Sequence, residues 1–260
     1  MHVDAGSVMA VDGIEVYWVP GCSSCLRMKE FMEATGLPFE SVDLSVHPER
    51  GEKLRRIGVH APAVVVGESG VQGIDLVGIA ALVGYDYEPP VVLTPPVLRE
   101  RYLRVMAALR GFVAQVAEDD LDWRSPDNQR SVRFLVAHAS TIMRMFVDTR
   151  YRDDFDNSGA PPPDLASHGD LAALLDWASG TVEEFERWWR EVGHDDPFDR
   201  VLRTTWGHRT MHEVLERAVW HTAHHVRQLQ DWMGRFGVLP AEPLTEEDLA
   251  GLPLPRRIMV

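Results

Sequence analysis

Two sets of side chains in this 260-residue sequence have the types and spacing that do chemistry. The first is Cys22 and Cys25, the only cysteines, in the string Gly21-Cys22-Ser23-Ser24-Cys25. A thiolate at the start of a helix is stabilised by unpaired N–H groups and by the positive end of the helix dipole. Cys22 would then be the nucleophile. Cys25, one turn further in, would resolve a mixed disulfide formed at Cys22. Read alone, the pair could also be half of a zinc site completed by histidines, or two inert core thiols. The second set is histidine. His221 and His225 stand four apart in Trp220-His221-Thr222-Ala223-His224-His225-Val226-Arg227-Gln228. On a helix they lie about 40° apart on one face, which suits chelation of a metal. His138, among Phe134, Leu135 and Ile142, is the best candidate for a third ligand. His208 and His212 repeat the spacing. They cannot converge with the first pair, because on one helix His212 points about 180° from His221. His224 is not counted as a ligand.

The elements that must position these residues fall into two groups. Residues 14–19 form a short apolar run ending at Pro20-Gly21, fit for a buried strand. A helical stripe of Leu26, Met28, Phe31 and Met32 stops at Gly36, and 39–44 reads as a second strand. A polar helix over 48–57, a strand at 63–66 with a partner near Val71, and a helix begun by Asp75 complete an order β-α-β-α-β-β-α. That order implies a small α/β sandwich. Residues 86–96 hold Pro89, Pro90, Pro95 and Pro96 and predict an extended linker. Beyond it no strand-like alternation recurs. Residues 97–117, 129–149, 171–192 and 210–236 are each long enough for a long helix, which predicts an antiparallel four-helix bundle. The expected divisions are 1–85, the linker 86–96, the bundle 97–240 and an irregular tail 241–260.

Composition narrows the classes. Hydrophobic residues make up 45% and charged residues 25%, the usage of a globular protein rather than a disordered one. The formal net charge of −14 argues against nucleic acid and anionic membranes as partners. No run of about 18 apolar residues suggests a membrane span. Residues 1–13 lack a basic segment followed by an apolar one, so a cytoplasmic protein is the expectation. Two cysteines exclude a disulfide scaffold within the chain.

Two resemblances sharpen the reading. Residues 14–84 resemble a glutaredoxin-type thioredoxin fold, through Tyr17-Trp18-Val19-Pro20-Gly21-Cys22-Ser23-Ser24-Cys25, Ala61-Pro62 and Gly73-Ile74-Asp75. The resemblance implies a cis proline at Pro62 beside the cysteines. It also implies a turn at Gly73 and Asp75 that offers a backbone N–H and a carboxylate to a bound thiol. Val19 stands where such proteins often carry lysine, so the resemblance implies thiol–disulfide exchange without naming glutathione. Residues 97–236 resemble the DinB-like four-helix bundles, related to metal-dependent thiol-S-transferases. That likeness implies a divalent metal, zinc or nickel first, on His138, His221 and His225.

The resulting expectation is a multidomain chain with an N-terminal α/β thioredoxin/glutaredoxin-like fold and a C-terminal all-α DinB-like bundle. It is expected to act in low-molecular-weight thiol metabolism. Cys22 and Cys25 would exchange disulfides; Pro62, Gly73 and Asp75 would hold the thiol; the metal half would transfer a thiol to an electrophile. Small-molecule thiols, electrophiles or disulfides are the expected partners, and a homodimer is possible. Two alternatives stay open: a redox protein whose bundle only binds or dimerises, and a metal-dependent hydrolase or isomerase.

Overall fold

The computed structural model describes residues 13–126, 130–156 and 158–258. The reading of residues 1–12 and the helix start at Gln129 lie outside the described residues. The chain divides into two compact units: the first runs to Pro90 and includes Pro255–Arg257, and the second covers Val91–Leu254.

In the first unit the elements are β1 (Ile14–Trp18), α1 (Ser23–Thr35), β2 (Glu40–Asp43), α2 (Gly51–Arg56), β3 (Ala63–Val66), β4 (Ser69–Gln72) and α3 (Leu76–Val83). The sheet order is β2-β1-β3-β4, with β1 and β2 parallel and the other pairs antiparallel. Strand alternation sends neighbours to opposite faces. Val16 and Val64 pack with Met28, Met32 and Ile79 on one side, while Tyr17 and Val65 pack with Val42 and Leu54 on the other. Both faces are thereby covered, as a sheet with helices on its two sides requires. Glu15 sits among Tyr17, Arg50 and Lys53; despite its burial, hydrogen bonds from Lys53, Arg50 and Tyr17 hold its carboxyl below the ordinary range.

The second unit contains α4 (Pro95–Val113), α5 (Val132–Asp148), β5 (Asp154–Phe155), α6 (Pro163–His168), α7 (Leu171–Trp188), β6 (Val201–Thr204), β7 (Gly207–Thr210), α8 (Met211–Arg235) and α9 (Glu246–Leu249). Pro95 and Pro96 are helical residues rather than linker. At a helix start a missing N–H costs nothing, because that donor has no intrahelical partner. The long helices α4, α5, α7 and α8 form the bundle. Its packing order is not sequential: α4 and α5 each pack on α7 and α8 and meet one another only briefly. That arrangement lays α5 directly against α8. Thr222 ties the two together by donating from Oγ1 to the Ala139 carbonyl at 3.0 Å.

Two expectations fail here. The bundle half is not free of strands: β5, β6 and β7 make a small sheet in that order. Each strand is at most four residues, and Leu202 is the one buried side chain between exposed Val201 and Arg203 in β6, too short for a period of two to show. Nor is the tail wholly irregular. Thr245 and Asp248 form a capping box for α9, and Asp248 accepts from Arg104 at 3.0 Å. No helix among the described residues is long and apolar enough to cross a membrane.

Candidate metal and thiol sites

The cysteine pair sits where β1 ends and α1 begins. Cys22 is the N-cap of α1, with an extended backbone, and its sulfur accepts the Cys25 N–H at 3.1 Å. Gly21 supplies the tight entry with φ of 73°, a left-handed conformation that glycine adopts without steric cost. The two sulfurs are joined as a disulfide. Cys25 is buried, whereas Cys22 is partly exposed, so an incoming thiol meets Cys22 first.

Pro62 follows a cis Ala61–Pro62 bond and immediately precedes β3. Because Tyr17 pairs with Ala63, the proline and the cysteine turn lie at the same end of the sheet. Gly73 donates its N–H to the Pro62 carbonyl at 2.7 Å. A Cβ at Gly73 would sit 2.6 Å from both Met28 Sδ and Pro62 Cβ, so only glycine fits. Asp75 caps α3 by accepting the Gly78 N–H at 2.9 Å. The N–H of Gly73 and the carboxylate of Asp75 therefore already serve the fold.

The histidines come from two helices. α8 starts with a full capping box, Thr210 and Glu213 bonding reciprocally, which fixes the helix from its first turn. Its inward stripe includes Leu215, Ala218, Thr222, His225 and Leu229, all buried. α5 is capped by Ser131 and carries His138 between the buried Ala137 and Ala139. Ligand atoms of His138, His221 and His225 all lie within 4.8 Å of one another, and all three rings are buried. Ring centroids are 4.8 Å apart for His138 with each partner and 4.6 Å for His221 with His225.

Hydrogen bonds orient two of the rings. His138 Nδ1 donates to the Gly159 carbonyl at 2.6 Å, and His225 Nδ1 donates to Gln228 Oε1 at 3.0 Å. In each case that tautomer leaves Nε2 with its lone pair, the arrangement a metal ligand needs. His221 Nδ1 is buried without a hydrogen-bond partner. Burial and the positive charge of Arg130 push His138 down to about 4. Burial, then Arg217, holds His221 well below its ordinary value; burial, then His138, does the same to His225. All three are neutral near pH 7. Three neutral imidazoles, two pre-oriented and one with an orphaned buried nitrogen, fit a divalent transition metal.

The sequence did not point to Gly159. It lies between β5 and α6, has φ of +58°, and a Cβ there would meet His138 Cε1 at 2.8 Å. A lone glycine before three prolines carries no signal of such a role. Nor did Arg130 stand out, because its nearness to His225 depends on helix packing; Arg217 stands one turn before His221 on α8, a spacing the helical period already gives. His224 is fully buried beside His225, with ring centroids 5.3 Å apart, and does not join the ligand set. His208 lies on β7, and His212, in the first turn of α8, bonds the Leu93 carbonyl at 2.7 Å; neither joins the set.

The glutaredoxin family model matches residues 14–71. Among solved structures, the chain resembles YfiT from Bacillus subtilis, described as a probable metal-dependent hydrolase with an unusual four-helix bundle topology. That likeness has 19% identity and a TM-score of 0.46, covering 59% of this chain and 95% of the other. No curated protein matches the sequence. The DinB superfamily model matches residues 100–229, half of the chain. The chain belongs to the DinB superfamily, with a glutaredoxin domain ahead of its helical bundle.

Proposed function

We propose that this protein handles low-molecular-weight thiols with two sites. The bundle holds a divalent metal on His138, His221 and His225 and serves as a thiol-S-transferase, joining a small thiol to an electrophile. The α/β domain exchanges disulfides through Cys22 and Cys25. The observation that carries the reading is the convergence of three buried imidazoles within 4.8 Å from two helices. A metal bound there would favour the thiolate form of a thiol beside it. The protein's own part is to keep the imidazoles neutral, to fix two of them through Gly159 and Gln228, and to shield them from water. In the other domain, Cys22 attacks a disulfide and releases one thiol, and the Cys25 thiolate then displaces the second, leaving the Cys22–Cys25 disulfide. Zinc or nickel suits three imidazoles, and the setting proposed for both steps is the cytoplasm.

Elemental analysis of the purified full chain tests the proposal. One divalent ion per chain is expected, lost in His221→Ala. A wild-type protein that takes up no metal from zinc or nickel would sink the transferase half.

A further inference from the structure

Two of the three imidazoles have a brace at Nδ1, and the third does not. The Gly159 carbonyl holds His138 and the Gln228 amide oxygen holds His225, while His221 Nδ1 is buried without a hydrogen-bond partner. His221 therefore stands where the backbone of α8 puts it. The next residue fixes that backbone. Thr222, fully buried, donates from Oγ1 to the Ala139 carbonyl on α5 at 3.0 Å. Ala139 follows His138 as Thr222 follows His221, so one hydrogen bond joins the neighbours of two ligands on two helices.

The level of that bond along the helices gives it a role. Helical rise places Thr222 about 1.5 Å along α8 from His221 and about 4.5 Å from His225. A hydrogen bond there resists sliding of α8 on α5 at the height of the cluster. Side-chain packing alone spaces helix axes at roughly 8–10 Å, according to the residues in contact. Imidazole nitrogens, by contrast, must stand about 2.0–2.1 Å from a zinc ion. Two more buried hydroxyls lie at the same height. Ser140 Oγ donates to the Val136 carbonyl at 3.1 Å, and Thr141 Oγ1 to that of Ala137 at 2.8 Å. Both bond back within α5, one turn away; the Thr222 hydroxyl crosses between helices.

We propose that Thr222 is a positioning residue for the metal site, its hydroxyl setting His221 against His138 by locking α8 to α5. The inference rests on the metal reading of the three histidines and deepens it by naming the brace that His221 lacks. Removing the hydroxyl leaves no orphaned acceptor, because the Ala139 carbonyl keeps the N–H that an α-helix supplies four residues on. Folding therefore depends little on the bond, and the geometry of the ligands depends on it.

Zinc titration of the full chain in competition with a chromophoric chelator tests this. Thr222→Val keeps the branched shape and removes the hydroxyl; it should weaken zinc about tenfold or more, as losing an outer partner of a ligand does. Thr222→Ser keeps the hydroxyl and should bind zinc as wild type does. Thr141→Val, which removes a hydroxyl bonded within α5, should do the same. Cobalt(II) gives a second readout, since its visible absorption follows ligand geometry. The bands should shift in Thr222→Val and return in Thr222→Ser, with the melting temperature of the metal-free chain equal in all. If Thr222→Val does not fold, Thr222→Ala against Thr222→Ser, which differ by one oxygen, carries the same comparison. Zinc affinity and cobalt bands unchanged without the hydroxyl, a serine variant as weak as the valine one, or equal weakening by Thr141→Val would overturn this inference alone. A wild-type chain that takes up neither zinc nor cobalt overturns it together with the metal reading.

Discussion

The two candidate sites solve opposite problems. The cysteine site is local: three residues, one turn and one helix start place both sulfurs, and Cys22 is left accessible. The histidine site is assembled across 83 residues of chain, from His138 to His221, and is buried on every ring. A redox sulfur must meet a partner, so the fold sets it on a rim. A three-imidazole site must exclude competing water and hold its donors still, so the fold sets it between helices and braces it with Gly159 and Gln228. The difference shows what each site depends on: the first on backbone conformation at a helix start, the second on helix packing.

The largest test of that contrast is reciprocal substitution. His221→Ala removes one donor and should lower metal affinity beyond the roughly 10–100-fold that losing an outer partner costs, while disulfide exchange stays at wild-type rate. Cys22→Ser should abolish exchange and leave metal content unchanged. Metal titration and reduction of a small disulfide, run on both variants, read the four values. Loss of both properties in either variant would break the separation.

Gly159→Ala comes next. The substitution forces a side chain onto a backbone at φ +58° and drives a Cβ to 2.8 Å from His138 Cε1. The loop or the ring must move, and the carbonyl that fixes the His138 tautomer moves with it. Metal affinity should fall roughly 10–100-fold, with helical content by circular dichroism unchanged. An affinity equal to wild type would show that His138 is held by helix packing alone.

Smaller again is the pH effect on the metal-free protein. Unfolded imidazoles take up protons near 6.5, whereas buried His138 does so only near 4, and His221 and His225 are held lower than ordinary as well. Between those values the unfolded chain holds more protons. Stability from these groups is therefore complete above about pH 6.5 and is lost as pH falls through that window. Seven of the eight tryptophans lie beyond residue 96, so tryptophan fluorescence follows the bundle. Its melting temperature should drop between about pH 6.5 and 4, and His225→Ala should flatten the slope. A flat wild-type profile would contradict neutral burial.

The same contrast explains what was legible in the sequence. Cys22, Cys25 and the helix they open are neighbours in the chain, and the strand ending at Pro20-Gly21 announces them. The His221 and His225 pair follows from helical period, and His138 from its apolar stripe. Packing order is not written in any period: nothing local says that α5 lies against α8 rather than α4. Arg130 and Gly159 owe their nearness to the cluster to tertiary packing, and so stayed hidden, whereas Arg217 stands one helical turn before His221. The strands β5 to β7 were hidden for another reason, since two to four residues with one buried side chain give no alternation to detect.

The smallest expected effect lies in the α/β domain, at Asp75. Its carboxylate accepts the Gly78 N–H and caps α3, and a site of this fold could also use the charge on a bound thiol. Asp75→Ala removes cap and charge together and should cost about 0.5–2 kcal/mol of domain stability. Asp75→Ser keeps a capping oxygen and removes only the charge, so its stability should stay within a few tenths of a kcal/mol of wild type. The two variants part the roles. If the carboxylate meets substrate, Asp75→Ser raises KM for a cationic or amine-bearing disulfide while leaving the melting curve in place. If Asp75 is a cap alone, the serine variant exchanges disulfides as wild type does, and only the alanine variant changes, through stability. Because α3 packs on the sheet face that Met28 and Val64 share, a weakened cap reaches the cysteine turn only through fraying of that layer, which is why the effect is expected to be slight.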